Sequence, residues 1–270
     1  MFGIRERNYN YDRISHPSGW PSYEEFLNLQ SLDHITDFGI KQTLESRIEF
    51  DPIYHSSLRL KYPFNNCNIL KQNYSQSWQD IFVLTVMNGK QQGTFVELGA
   101  SEPQYMSNTY LLETEFGWSG VSIDFRENLK EEWQRLRPGG NLMLSNAWHT
   151  DFKLLLQAFD YQIDYLQVDL DESCSLACLK RIPTTHRFSA ITFETDVFNN
   201  NEQIQKESRD YLKSLGYLLL IDNVAVKNYS TNTWEPFEDW YVDPTVIDKD
   251  IIDKLYCVDN QTKLPHEIFI

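Results

Sequence analysis

Five carboxylates in this sequence close short apolar runs: Glu97, Asp124, Asp169, Glu194 and Asp222. Groups of this type can hold a cation, grip sugar hydroxyls or take a proton from one. His149 follows a further run from Asn141 to Ser145, and imidazole is the side chain most suited to proton exchange at physiological pH. Asp169, Glu194 and His149 are therefore the candidate proton acceptors. Asp169, Glu194 and Asp222 are the candidate ligands of a divalent metal, which would acidify a hydroxyl instead. The plainer readings are a solvated acidic loop at a helix start for Asp169-Leu170-Asp171-Glu172 and a surface position for His149.

The stretch from Thr94 to Asp124 is the most specific. Thr94, Phe95, Val96 and Leu98 form an apolar run around Glu97, and Gly99-Ala100-Ser101 permits a sharp turn. Tyr110, Leu111, Leu112 and Phe116 mark one side of a helix that Gly117-Trp118-Ser119-Gly120 ends. Asp124 then stands 25 residues beyond Gly99. That is close to the offset of roughly 20 at which an acidic residue meets ribose hydroxyls in a nucleotide-binding βαβ unit. The dinucleotide fingerprint needs three glycines, and this turn has only the first, with Glu102 where a diphosphate would lie. A cofactor without phosphate fits better, and S-adenosyl-L-methionine, cationic at its sulfonium, suits a neighbouring Glu97. The alternative is that Glu97 bonds nearby amides and Asp124 caps the next helix.

The elements that must position these residues alternate strand and helix, the mark of a parallel sheet covered on both sides. A helix starts at Ser77-Trp78-Gln79-Asp80, with Asp80 as a capping residue. Leu129, Trp133 and Leu136 mark a helix that Pro138-Gly139-Gly140 ends, and Asn141 to Ser145 is a third strand. Trp148 beyond it is either a core tryptophan or a ring to stack on adenine. Asp151 caps the next helix, and strands follow at Ile163–Val168, Phe188–Phe193 and Tyr217–Ile221, with Glu238–Val242 as a last, antiparallel one. Upstream, Ser22-Tyr23-Glu24-Glu25 is a capping box that predicts a helix over 22–35.

Phe95-Val96-Glu97-Leu98-Gly99-Ala100, Ser107-Asn108-Thr109-Tyr110-Leu111-Leu112-Glu113 and Gly117-Trp118-Ser119-Gly120 resemble the opening motifs of the FkbM-like methyltransferases. Ser75-Gln76-Ser77-Trp78-Gln79-Asp80 and Asp164-Tyr165-Leu166-Gln167-Val168-Asp169 are further matches. The resemblance implies an α/β, Rossmann-like class I methyltransferase fold: a seven-stranded, mostly parallel sheet with helices on both faces. It also implies O-methylation of a hydroxyl on a sugar, glycan or related small molecule. The cofactor-binding set it implies is Glu97, Gly99, Ala100, Ser101, Asn108, Asp124, Phe125, Asn146, Ala147 and Asp169. Residues 75–270 form the S-adenosylmethionine-binding domain on this reading. Residues 1–74 are an irregular or helical N-terminal extension that serves as a lid, a substrate wall or an oligomer contact. The chain departs from the family at Ser101-Glu102-Pro103 and at Asp169-Leu170-Asp171-Glu172-Ser173.

The balance of 24 Lys and Arg against 39 Asp and Glu gives a formal charge of -15, which repels a nucleic-acid backbone. No window reaches the roughly 20 apolar residues of a membrane span, and the first residues lack an apolar signal core. These features predict a cytoplasmic enzyme with a small-molecule or glycan acceptor and neither nucleic-acid nor membrane partners; oligomeric state stays open. Cys67, Cys174, Cys178 and Cys257 lack zinc-site spacing and read as small buried thiols in a reducing compartment. Two rival readings remain: a nicotinamide-dependent oxidoreductase or epimerase, and a binding protein that kept this fold without turnover.

Overall fold

The computed structural model describes residues 60–70, 72–170, 174–195, 197, 202–228 and 231–270. The expected helix over 22–35, most of the N-terminal extension, and Asp171 and Glu172 lie outside the described residues. The elements are α1 (Gln79–Val86), β1 (Thr94–Leu98), α2 (Tyr110–Phe116), β2 (Ser119–Asp124), α3 (Lys130–Leu136), β3 (Leu142–Leu144) and α4 (Phe152–Leu155). They continue with β4 (Gln162–Val168), α5 (Cys174–Arg181), β5 (Arg187–Glu194), α6 (Glu202–Ser214), β6 (Leu218–Asn228), β7 (Thr233–Val242), α7 (Lys249–Leu255) and α8 (Pro265–Phe269).

The strands form a seven-stranded sheet in the order β3-β2-β1-β4-β5-β7-β6, parallel throughout except for β7. This is the Rossmann-like, mostly parallel sheet expected from the sequence. Because both faces are covered, the central strands are apolar on both sides. One face carries Phe95, Tyr165, Ala190, Trp240 and Val242 against α1, α2, α7 and α8. The other carries Val96, Leu98, Val121, Ile123, Leu166, Val168, Ile191 and Phe193 against α4, α5 and α6. Ile81, Phe82, Val83 and Leu84 of α1 are all fully buried, so this helix is enclosed on every side. Phe64, Cys67 and Leu70, within the stretch expected as extension, pack in the same core.

The strand order reverses between β1 and β4, and open α/β sheets bind ligands outside the carboxyl ends of the strands at such a point. The two tips meet closely there. The Asp169 amide donates to the Leu98 carbonyl at 3.0 Å. Gly99 has φ +83°, and a Cβ on it would lie 1.7 Å from the Asp169 carbonyl oxygen. Only glycine satisfies both demands.

Several expectations need correction. Asp222 does not end a strand, because β6 runs on to Asn228 as one arm of a long hairpin with β7. Asp80 does not cap α1 alone. Its carboxylate accepts from the Tyr74, Ser75 and Ile81 amides and the Ser75 hydroxyl, and so orders the loop before the helix. Trp148 is neither core nor enclosed; it is 44% exposed, with the Arg181 guanidinium 5.2 Å from its ring. None of the four cysteines is in a disulfide, and only Cys67 and Cys178 are buried, since Cys174 and Cys257 sit at the exposed start of α5 and just beyond α7.

Candidate functional site

The carboxyl ends of β1 and β2 are built from polar side chains facing α2 and α3. Glu97 is 1% exposed, and its Oε2 accepts from the hydroxyls of Thr109 at 2.8 Å and Ser122 at 2.5 Å. Burial pushes its carboxyl above the usual range, opposed by the Arg137 guanidinium and the two hydroxyls. Arg137, buried to 2% exposure, donates to Thr109 at 3.0 Å and to Glu113 at 2.6 Å, and lies over the Trp133 ring. Glu97 thus belongs to a closed network behind the turn.

The turn itself reaches the tip of β2. Ser101 has φ 53°, its amide donates to Asp124 Oδ2 at 2.9 Å, and its carbonyl accepts from the Trp133 indole. Ala100 is buried against Leu129 and Trp133. Asp124 also accepts from the Arg126 backbone amide and guanidinium. Burial pushes the Asp124 carboxyl up, but the Arg126 and Ser101 donors outweigh it and leave it below the usual range. Phe125, beside it, is a 54% exposed ring.

Buried polar atoms without a partner are costly, so each calls for an explanation. Both amide atoms of Gln167, fully buried on β4, lack a partner, as does Oδ1 of Asn108, which is 5% exposed. Gln167 stands opposite Glu97 in the β1–β4 register, and Glu97 is bonded to Thr109, next to Asn108. Register and chain adjacency thus set Gln167 and Asn108 each beside a member of the Glu97 network, in which Arg137 Nε also lacks a partner.

The tips of β4, β5 and β7 carry a second group. Asp169 follows β4, and Glu194, 8% exposed, ends β5 in register with Glu238 of β7. Glu238 is 1% exposed and accepts from the Gln79 amide at 2.8 Å and the Trp240 indole at 2.7 Å. Burial pushes its carboxyl up to about 8, against those two hydrogen bonds and with help from the Asp169 charge. Glu238, Glu97 and Asp80 all act on the Tyr165 phenol, itself bonded to Thr192, so buried acids surround this part of the sheet.

The expected site residues separate into three sets. Glu97, Gly99, Ala100, Ser101, Asn108, Asp124 and Phe125 gather at the β1 and β2 tips, and Asp169 and Glu194 at those of β4 and β5. Asn146, Ala147 and His149 form a short 3-10 turn after the edge strand β3. The Asn146 side chain caps this turn through the Trp148 amide, Ala147 is buried, and His149 is exposed. β3 lies three strand spacings, roughly 14 Å, from β4, so His149 is not brought to Asp169 and Glu194.

Asp222, expected as a metal ligand with Asp169 and Glu194, is instead engaged by cations. Asp222 is fully buried on β6, where it accepts from Lys263 Nζ at 2.7 Å and the Asn260 amide at 2.7 Å, with Arg209 at 3.9 Å. Two cations occupy the face a metal would need. Among the described residues no group of three or more His, Cys, Asp or Glu is arranged to hold a metal ion.

Gln167, Glu238 and Arg126 were not singled out from the sequence. A signal existed for Gln167, a polar residue between Leu166 and Val168 on a strand buried on both faces, whereas Glu238 stands beside Asp239 and opposite Glu194. Nothing in the sequence marks Arg126 beyond its place two residues after Asp124.

No family model matches the chain, and no curated protein matches it. Several solved structures are similar to it. One is fibrillarin of Aeropyrum pernix in complex with natively bound S-adenosyl-L-methionine, at 12% identity and TM-score 0.37 over 57% of this chain and 67% of that one. A putative rRNA methylase from Clostridium thermocellum is similar at 11% identity and TM-score 0.43, over 63% and 98%. A TehB-like S-adenosylmethionine-dependent methyltransferase from Corynebacterium glutamicum is similar at 12% identity and TM-score 0.38, over 64% and 89%.

Proposed function

We propose that this chain is an S-adenosylmethionine-dependent methyltransferase that methylates a hydroxyl of a sugar, glycan or related small molecule, as its resemblance to the FkbM-like enzymes implies. The observation that carries the reading is the orphaned set at the β1–β4 switch. An amino-acid tail presents ammonium donors and carboxylate acceptors. Asn108 Oδ1 and Gln167 Oε1 would receive the first, and Gln167 Nε2 would serve the second. Asp124 lies at the adjoining tip for the ribose, with the exposed Phe125 ring beside it for adenine. The absence of a second and third glycine after Gly99 disfavours a diphosphate there.

When bound, S-adenosylmethionine supplies an electrophilic methyl group. The chain's own tasks are to hold the acceptor in line and to take its proton. Asp169 and Glu194, at adjacent strand tips next to the switch, are the carboxylates placed for that. Glu238 behind them keeps its own proton near neutral pH and so adds no further charge.

The test is calorimetry with S-adenosylmethionine against NAD, followed by transfer of labelled methyl to a panel of glycans with an RNA as the counter-substrate. Binding of NAD alone would replace the reading with a nicotinamide enzyme. Donor binding without transfer to any glycan would leave a binding protein, and transfer to RNA alone would overturn the sugar acceptor.

A further inference from the structure

Asp124 is saturated. Its Oδ1 accepts from the Arg126 amide at 2.9 Å and Arg126 Nε at 3.0 Å. Its Oδ2 accepts from the Ser101 amide at 2.9 Å and Arg126 Nη2 at 2.9 Å. A carboxylate offers about four acceptor positions, so none remains for a ribose. The four donors are unequal. Two are backbone amides fixed by the turn after β1 and by the β2 tip. The other two sit on one guanidinium, whose side chain is still 23% exposed and can move.

Removing that guanidinium frees one position on each carboxylate oxygen and leaves both amides in place. Two positions, one per oxygen, are what the vicinal hydroxyls of a ribose require. Fork and diol are therefore competitors for the same lone pairs. A second carboxylate stands nearby: Glu102 follows Ser101, the residue bonded to Asp124, and Arg126 is the cation that acts on it.

We propose that Arg126 is a two-position side chain, holding the seat at Asp124 in the empty protein and crossing to Glu102 when a ribosyl ligand takes that seat. The inference rests on the adenosyl reading above. In the empty protein the fork satisfies one lone pair on each Asp124 oxygen, and a diol takes these over. In the filled one, the pairing with Glu102 offsets the loss of the fork and draws the turn after β1 toward the ligand. Glu102 thereby gains a task that a glycine-rich turn could not perform.

The experiment is calorimetry on the full chain with adenosine and with S-adenosylmethionine, for the wild type, Glu102→Gln, Arg126→Ala and the double variant. Glu102→Gln should weaken adenosine binding about tenfold, the effect of one partly exposed charged pair. Arg126→Ala should bind at least as tightly as the wild type, and in that background Glu102→Gln should have no further effect. The Arg126 Nε–H resonance should shift on adding adenosine and shift less with 2′-deoxyadenosine. A purely structural arginine would not follow the diol.

Weakening in Arg126→Ala, a Glu102→Gln effect that persists without Arg126, or a resonance indifferent to adenosine overturns the proposal. Adenosine binding without S-adenosylmethionine binding removes the methyl-donor reading and leaves the arginine inference standing. Binding of neither removes both.

Discussion

Two groups of buried acids lie along this sheet, and they are handled in opposite ways. At the outer edge, Asp222 and Asp239 on β6 and β7 face Arg209 and Lys263. Arg209 forks onto Asp239 at 2.7 and 2.9 Å, and Lys263 reaches Asp222 at 2.7 Å. On the opposite face, at α1, Asp80 and Glu238 face only amides, hydroxyls and an indole, and burial pushes both carboxyls up. The same residue type thus serves as a fixed ionic clamp on one face and, at Glu238, as a proton store on the other. Position at a strand tip does not tell them apart; the nearest cation does. This is why Asp222, which looks like Asp169 and Glu194 in the sequence, leaves their company in the structure.

The contrast can be broken at its strongest point first. Arg209→Met should strand Asp239 as an unpaired buried charge, while Asp222 keeps Lys263, and cost about 3–5 kcal/mol in denaturant unfolding, because the partner's loss leaves a desolvated anion behind. A loss under about 1 kcal/mol would make the outer group no different from a surface pair.

At the tips of β4 and β5, beside Glu238, the loss should be in rate. Asp169→Asn and Glu194→Gln should lower methyl transfer at one or both positions by about 10²- to 10⁴-fold, the range for removing a general base. Unfolding midpoints and donor affinity should stay near the wild type. A change of donor affinity equal to the change in rate would make these residues part of the cofactor seat instead.

Gly99→Ala tests the contact between the donor and acceptor halves. A positive φ together with a Cβ at 1.7 Å from the Asp169 carbonyl should cost about 1–3 kcal/mol and push the β4 tip away. Transfer should therefore fall even in conditions where the variant is fully folded.

The smallest effect is a slope. Glu238 has a folded carboxyl raised to about 8, so between the ordinary Glu range, about 4.3, and pH 8 the folded protein binds more protons than the unfolded one. The contribution of this group to stability therefore falls as pH rises through that window. Glu238→Gln should flatten the stability-against-pH curve from about pH 5 to pH 8. An unchanged slope would place the proton elsewhere, and a steeper one would reverse the assignment.

Much of the frame was legible because it is local. The apolar run at Thr94–Leu98, the glycine that closes α2 with φ 66° at Gly117, and the second run to Asp124 each reveal an element within a few residues. The site was only half legible, because its chemistry depends on partners remote in sequence. Gln79 comes to Glu238 across 159 residues, and Lys263 to Asp222 across 41. Hydrophobic periodicity cannot announce such meetings. The Arg126 fork is the opposite case: only two residues separate the groups, yet whether they close on one another or on a ligand depends on backbone geometry at the β2 tip.

The clearance at Gly99 sets a limit on how freely the two halves can change. With the turn after β1 and the tip of β4 separated by less than the width of a methyl group, neither loop can be lengthened or reshaped without moving the other. A substitution that moves the turn after β1 would therefore be felt at Asp169 through the Leu98–Asp169 hydrogen bond.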